Sequence, residues 1–306
     1  MLPSWGVPDP MSSHFLLELD HVTKLFPIGG FFSREKMKAV DDVSFALSAD
    51  KPEIFTIVGE SGSGKSTLAK MILGSEKADR GSIHFDGTDV KAVRSRRDRE
   101  AFMAKVQPVF QNPFEAFNPL TRIDEYLLAT AHRFKGAKSR AEKEALADVA
   151  LQRVGLSMAE IKGRFSHELS GGQLQRIAVA RALIPEPKLI VADEPVSMVD
   201  ASLRMSIVNL FRDLRDALNV SIVYITHDLA TAYYISDRVV IMRKGVVVES
   251  GDARDVLEHP KHAYSIALKN AVLPPNPREA SAILRLRQRN AETSEATSGS
   301  GDHLAR

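Results

Sequence analysis

The chain has 306 residues, of which 44% are hydrophobic, and this is enough for one large domain or two modest ones. The 41 basic and 39 acidic side chains leave a net charge of only +2, so we expect no nucleic acid among the partners. Cysteine is absent, which excludes disulfides, cysteine-ligated zinc or iron–sulfur centres and a thiol nucleophile.

The start of the chain does not have the pattern of a secretory signal. Residues 1–14 are rich in Pro, Ser and Gly and lack a basic start followed by an apolar stretch, so we interpret them as a flexible leader. No later apolar run approaches the roughly 18 residues that cross a bilayer. Any role at a membrane is therefore expected to depend on partner proteins.

Two kinds of strand alternate with helices along the chain. Runs with alternating apolar side chains predict an antiparallel layer at residues 15–19, 43–47 and 82–85. Nearly continuous apolar runs, typical of parallel strands covered on both faces, occur at residues 53–58, 188–192 and 221–225. Helical patterns follow these three runs, at residues 66–73, 201–218 and 229–235. This alternation predicts an α/β fold with a mainly parallel, doubly wound sheet.

The rest of the chain divides into three segments. Residues 112–168 have a helical texture, clearest at 141–154, and predict an inserted helical subdomain. Lys244 and Gly245 interrupt an apolar run and predict a hairpin. We take the main domain to be residues 15–273, and residues 274–306, which open with several prolines, to be a C-terminal extension that is largely disordered at its end.

The strongest motif lies between the strand ending at Val58 and the helix that follows. Residues 59–67 match G-x-x-x-x-G-K-[ST], in which glycines let backbone N–H groups surround phosphate oxygens at a helix N-terminus. Lys65 is expected to reach the β- and γ-phosphates, and the Ser66 hydroxyl to bind Mg²⁺. The predicted nucleotide-binding residues of this loop are Gly59, Glu60, Ser61, Gly62, Ser63, Gly64, Lys65, Ser66 and Thr67.

Two carboxylates follow the apolar run at residues 188–192. The carboxyl end of a parallel strand is where open α/β sheets bind ligands. Asp193 is therefore predicted to hold Mg²⁺ through water, and Glu194 to act as general base towards the attacking water. Taken alone, the pair could equally be a simple strand-end cap. The phosphate-binding loop upstream makes the catalytic interpretation the stronger one.

A second anion-binding pattern occurs at residues 169–173, where Ser and Gly precede a helix that continues to about residue 183. A single nucleotide does not need two such cradles from one chain. We therefore expect Ser170, Gly172 and Gln173 to contact ATP bound to the opposite subunit of a head-to-tail dimer.

With these motifs the chain resembles an ABC transporter ATPase, whose signature motif is the pentapeptide at residues 169–173. The resemblance spans about residues 15–273. It implies a P-loop NTPase core with an antiparallel β layer and an inserted helical subdomain, and ATP hydrolysis with ATP and Mg²⁺ bound.

The same resemblance implies further site residues. Gln111 corresponds to the glutamine that senses Mg²⁺ and the γ-phosphate, with Gln107 as a rival, and Pro108 beside it predicts an edge or irregular strand. His227 corresponds to the switch histidine, and Asp200 acts across the dimer. Phe26 takes the position of the aromatic that stacks on adenine. Competing aromatics at residues 31 and 32 leave a purely structural role open for Phe26.

Residues 111–119 and 259–265 resemble the oligopeptide, dipeptide and nickel importer branch. That branch implies a second ATPase subunit, identical or not, two transmembrane permeases and, indirectly, an extracellular solute-binding protein. It also implies a peripheral position on the cytoplasmic face of the cell membrane. Oligosaccharide import, a non-transport ABC ATPase and an exporter half are the alternatives. The charged run at residues 94–100 mixes both signs, which favours a solvated helix or a partner-facing surface over nucleic-acid binding.

Overall fold

The computed structural model describes residues 14–28, 36–112 and 117–271. The predicted leader up to residue 13, the C-terminal extension and the phenylalanines at positions 31 and 32 lie outside the described residues. In chain order the strands are β1 (Phe15–Pro27), β2 (Lys36–Ser48), β3 (Ile54–Val58), β4 (Arg80–Phe85), β5 (Thr88–Asp89), β6 (Val106–Val109), β7 (Leu189–Asp193), β8 (Ser221–Thr226), β9 (Arg238–Arg243) and β10 (Val246–Asp252).

Ten helices accompany these strands within the described residues. They are α1 (Lys65–Ile72), α2 (Arg96–Lys105), α3 (Ile123–Lys135), α4 (Arg140–Gln152), α5 (Met158–Ile161), α6 (Gly171–Leu183), α7 (Ala201–Leu218), α8 (Leu229–Ile235), α9 (Ala253–Glu258) and α10 (Ala263–Ala271). In the described part of the chain, none of the helices is long and apolar enough to cross a membrane.

A four-stranded sheet forms the predicted antiparallel layer, in the order β2-β1-β4-β5. Strands β1 and β2 are longer than the sequence pattern indicates, because their ladder continues through several register shifts to the pair Pro27 and Lys36. One shift separates Leu19 from Val22, and His21 between them has a φ of 48°. Such bulges interrupt the apolar–polar alternation, so the pattern stops at Leu19 although the strand continues.

The second sheet has six strands in the order β10-β9-β3-β8-β7-β6. Strands β9, β3, β8, β7 and β6 run parallel, and β10 pairs antiparallel with β9. Every residue of β3 and β8 is buried, which explains their continuous apolar runs. Among the described strands, β6 lies at the edge of the sheet and pairs only with β7, as predicted from Pro108. The backbone N–H that proline lacks is not needed there, because β6 has no strand on its other side in the described part of the chain.

Helices α3, α4 and α5 lie within residues 112–168, the segment assigned to the helical subdomain. They pack with α6 in one apolar cluster that includes Leu127, Leu151, Leu174 and Ile177, and this cluster extends onto the parallel sheet. Ser139 starts α4 with a capping box to Glu142. The helical segment is therefore anchored to the core through α6.

The hairpin of β9 and β10 turns at Lys244 and Gly245, both with positive φ (48° and 86°), as in the primed two-residue turns of tight hairpins. The Gly245 N–H donates to the carbonyl of Ser63 at 3.0 Å. A Cβ at Gly245 would lie 2.9 Å from the carbonyl oxygen of Lys38, so only glycine fits there. The turn thus supports the phosphate-binding loop from behind.

Candidate functional site

The loop between β3 and α1 requires glycine at three positions, two for their backbone conformation and one for a close approach. Gly62 and Gly64 have φ values of 80° and 103°, a region that other residues rarely adopt. A Cβ at Gly64 would lie 2.1 Å from the carbonyl oxygen of Ala39, and one at Gly59 would lie 2.3 Å from that of Met242. The loop is therefore wedged between β2 and β9, which fixes its shape before any ligand arrives.

Lys65, the first residue of α1, lies inside this loop with only 4% of its surface exposed. Its Nζ donates to the carbonyl oxygens of Gly59 at 2.7 Å and Glu60 at 2.9 Å. Burial lowers the pKa of the ammonium group, and the nearby carboxylates of Glu194 and Asp193 oppose this shift. The structure thus holds a cation at the centre of the loop, where the phosphates of a nucleotide would bind.

Ser66 and Asp193 form the candidate magnesium site. Ser66 is exposed at the start of α1, and Asp193 ends β7. Asp193 Oδ1 is buried and has no hydrogen-bond partner among the described residues. Burial raises the pKa of Asp193, while the neighbouring Ser66 hydroxyl favours the ionised form.

A hydroxyl and a carboxylate oxygen without a partner are the hard donors that Mg²⁺ takes, together with water and phosphate. The residues present therefore fit this ion. No cluster of three or more histidine, aspartate or glutamate side chains able to hold a metal occurs within residues 14–28, 36–112 and 117–271. Any Mg²⁺ bound at this site would therefore take some of its ligands from other groups, such as the Ser66 hydroxyl, an amide oxygen, phosphate or water.

The substitution Asp193→Asn is expected to stabilise the nucleotide-free protein by on the order of 1 kcal/mol at neutral pH, because burial disfavours the charged form of this carboxylate more than its neighbours stabilise it. Burial raises the pKa of Asp193 in the folded state above its value in the unfolded chain. The ionised carboxylate therefore destabilises the folded protein fully above the folded-state pKa, and this destabilisation declines as pH falls towards the pKa of the unfolded chain. Denaturant unfolding at about pH 7.5 and about pH 4.5 measures the difference. The exposed Asp213→Asn serves as the control, and an Asp193→Asn gain that is larger in acid would contradict the expectation.

Glu194 has an unusual backbone conformation. Its φ is 47°, in the left-handed region, where a residue with a side chain costs roughly 1–3 kcal/mol. Its N–H donates to the carbonyl of Ile225 at 2.9 Å, and its own carbonyl accepts from the N–H and hydroxyl of Ser197 at 3.2 and 3.0 Å. Strand β8 and the turn that contains Ser197 therefore hold Glu194 in this conformation. Backbone strain of this kind is often found at active sites.

Two predicted residues converge on the Glu194 carboxylate. Gln111 Nε2 donates to Oε2 at 3.3 Å, and His227 Nδ1 lies 3.1 Å from Oε1. Gln111, Glu194 and His227 follow β6, β7 and β8, whose carboxyl ends are adjacent in the parallel sheet. The rival Gln107 is instead buried within β6 and donates to the carbonyl of Met103. The geometry favours Gln111 over Gln107 as the glutamine of this site.

Ser170, Gly172, Gln173 and Asp200 make no hydrogen bond to the phosphate-binding loop within the described part of the chain. Ser170 caps α6, and its hydroxyl and N–H exchange hydrogen bonds with Gln173 at 3.2 and 3.0 Å. Gly172 is buried, and a Cβ there would lie 2.9 Å from Leu203 of α7. That contact is with the flexible end of a leucine that is 38% exposed and can move aside, so helix packing alone does not require glycine here.

Asp200 precedes α7 and is exposed, and its side chain makes no cap hydrogen bond. Nearby Met198 is 57% exposed, although Val199 is buried. This surface is open to another molecule, and the predicted contacts across a dimer stay a prediction.

Phe26 lies near the end of β1, half-buried, opposite Met37 of β2. The Lys24 ammonium lies 5.2 Å from the centre of its ring, a cation–π contact. Phe26 belongs to none of the buried apolar clusters of the described residues. A core role is thus disfavoured, and stacking on adenine stays a prediction.

One contact in this region has no counterpart in the sequence motifs. The hydroxyl of Tyr264, on α10, accepts the N–H of Glu60 at 3.2 Å. No local pattern connects positions so far apart in the chain, so sequence reasoning could not have found this residue.

Comparison with known proteins agrees with the family resemblance that the motifs indicate. Residues 40–197 match the family model described as ABC transporter. The oligopeptide transport ATP-binding protein OppF of Haemophilus influenzae is 39% identical over 272 residues, which cover 87% of this chain and 81% of that protein. A putative peptide import ATP-binding protein of Brucella ovis is 41% identical over 241 residues, which cover 79% of this chain and 74% of that protein.

A solved structure also aligns with most of the fold. The ATP-binding cassette MJ0796, a dimer bound to ADP and phosphate, has a TM-score of 0.68 and 28% identity and covers 78% of this chain and 99% of its own. The predicted α/β fold with a P-loop NTPase core is confirmed. The chain belongs to the ABC transporter family and is one of its ATP-hydrolysing subunits.

Proposed function

We propose that this ATPase drives the uptake of oligopeptides, dipeptides or similar solutes through two partner permeases, supplied by an extracellular solute-binding protein. The convergence of Gln111 and His227 on Glu194, at the edge of the sheet that carries the phosphate-binding loop, supports an active hydrolytic site. The printed names of two relatives, an oligopeptide transport and a putative peptide import ATP-binding protein, support peptides as the solute class. Its permeases would hold the chain peripherally at the cytoplasmic face of the membrane.

ATP binds with its phosphates against the loop at residues 59–67 and its adenine against Phe26. Lys65 then exchanges its two carbonyl partners for phosphate oxygens, which carry more negative charge. Ser66 and Asp193 would hold Mg²⁺, which neutralises phosphate charge when it is bound. These residues bind and orient the nucleotide for hydrolysis.

Glu194 is the group placed to accept a proton from the attacking water. Its two carboxylate oxygens contact Gln111 and His227, which orient the carboxylate. The same two residues would sense whether the γ-phosphate is present and couple its loss to movement of the rest of the protein. The second half of each site comes from another subunit, through Ser170, Gly172, Gln173 and Asp200. ATP binding would close this dimer, and hydrolysis would open it.

Transport can be tested in proteoliposomes that contain the chain, its second ATPase subunit where this differs, the two permeases and external binding protein. We expect labelled oligopeptide to accumulate only with ATP inside the vesicle, and peptide-loaded binding protein to raise ATP hydrolysis several-fold. Uptake of an oligosaccharide in place of peptide would contradict the assigned solute class. Hydrolysis that no solute or permease affects would contradict the importer role as a whole.

A further inference from the structure

The peptide group that joins Gly59 to Glu60, at the start of the phosphate-binding loop, is held from both sides. Its carbonyl oxygen accepts from Lys65 Nζ at 2.7 Å, and its N–H donates to the hydroxyl of Tyr264 at 3.2 Å. In a trans peptide group the carbonyl and the N–H point in opposite directions. Lys65 and Tyr264 therefore fix the plane of this peptide group between them.

Tyr264 is itself held firmly. Its ring is partly buried against an apolar cluster formed by β3, β9, α8 and α9. The guanidinium group of Arg243, the last residue of β9, lies 4.9 Å from the centre of the ring. Burial raises the pKa of the Tyr264 hydroxyl, so the group stays protonated and uncharged at neutral pH. The hydroxyl oxygen is thus a fixed, neutral acceptor for the loop.

The segment that carries Tyr264 is anchored to the core by Glu249 of β10. Glu249 is only 6% exposed, and its carboxylate accepts the N–H groups of Lys261 at 2.8 Å and His262 at 3.2 Å. Both N–H groups lie just before the first turn of α10, so a buried anion holds the start of this helix. The same hairpin supports the other part of the loop, through Gly245 and Ser63. The β9–β10 hairpin therefore supports the loop directly, through Gly245, and indirectly, through Glu249 and Tyr264.

We propose that Tyr264 is a positioning residue for ATP, which keeps the Gly59–Glu60 peptide group in its binding orientation. The peptide group needs this second partner when Lys65 exchanges the carbonyl oxygens of Gly59 and Glu60 for phosphate oxygens. At that point the Tyr264 hydroxyl is the remaining side-chain partner of this peptide group within the described residues. The inference rests on the proposed nucleotide site and adds a residue of the C-terminal helix to it. ATP affinity would then depend on how α10 packs against the β9–β10 hairpin.

The variant Tyr264→Phe removes the hydroxyl and keeps the ring. We expect the Kd for ATP, measured by competition with a fluorescent ATP analogue, to rise about 3- to 10-fold, the effect of losing the hydrogen bond that the hydroxyl accepts from the Glu60 N–H. The KM for ATP should rise by the same factor, while kcat stays within about twofold of wild type. The matched control is Tyr234→Phe, whose hydroxyl donates to Asn209 Oδ1 at 2.7 Å away from the loop, and its Kd should not change.

Hydrogen exchange of the peptides that cover residues 59–64 gives a second readout. Exchange should be faster in Tyr264→Phe than in wild type at equal Tm, because the Glu60 N–H loses its acceptor. Equal Kd and equal exchange in the two proteins would overturn the proposal. A lowered Tm with kcat reduced as much as affinity, or the same rise in Kd in Tyr234→Phe, would also overturn it. A wild-type protein that binds no ATP would instead contradict the proposed function.

Discussion

Replacing Glu194 by Gln is expected to reduce steady-state ATP hydrolysis by about 100- to 10,000-fold, the usual contribution of a general base. The amide keeps the size of the side chain and can still contact Gln111 and His227, but it cannot accept the proton of the attacking water. ATP affinity should stay within a few-fold of wild type. Phosphate release tests the expected loss of hydrolysis, and the Kd for ATP, measured on the same preparation, tests whether binding is retained.

Glu186→Gln is a suitable control for this experiment. Glu186 also has a positive φ, 59°, and its carboxylate pairs with Lys135 at 2.5 Å on the surface. The control therefore removes a glutamate charge from a similar backbone conformation outside the site, and it should keep full activity. Turnover close to wild type in Glu194→Gln would contradict its assignment as the base.

The substitution Lys65→Ala is expected to weaken ATP binding by about 100-fold or more, because Lys65 offers the phosphates charge-assisted hydrogen bonds from inside the loop. Thermal stability should change little. The substitution removes two hydrogen bonds to carbonyls, but it also removes a buried ammonium group whose charged form burial disfavours, as its lowered pKa indicates. Equilibrium binding and thermal unfolding separate the two effects. Nucleotide binding that survives the substitution would contradict the role of Lys65.

Lys65→Ala also allows a test of the shared site. Mixing it with Ser170→Arg, which blocks the opposite half-site, forms dimers in which one site retains both Lys65 and Ser170. Recovery of hydrolysis in the mixture, when each variant alone is inactive, is the expected result for head-to-tail pairing of this chain with itself. A mixture as inactive as its components would contradict that pairing and favour a different ATPase as the second subunit.

The loop and the carboxylates could be predicted because their signals are local. Gly62 and Gly64 have backbone conformations that other residues rarely adopt, and the Asp193–Glu194 pair directly follows a strand whose apolar run marks it as buried. The central strands β3, β7 and β8 were predicted almost to the residue for the same reason. The lengths of β1 and β2 were underestimated, since the bulges beyond Leu19 break the alternation that marks a strand.

The class of fold, which the comparison confirms, and the loop predicted to bind phosphate both follow from the sequence, because turn chemistry and apolar periodicity depend on neighbouring positions. The tertiary structure alone decided which side chains meet. Gln111 and His227 reach Glu194 because β6, β7 and β8 are adjacent in the sheet. Tyr264 reaches Glu60 across 204 positions because Glu249 and Arg243 hold the segment around it against the β9–β10 hairpin. Contacts of this kind depend on the packing of distant elements, which no local pattern encodes.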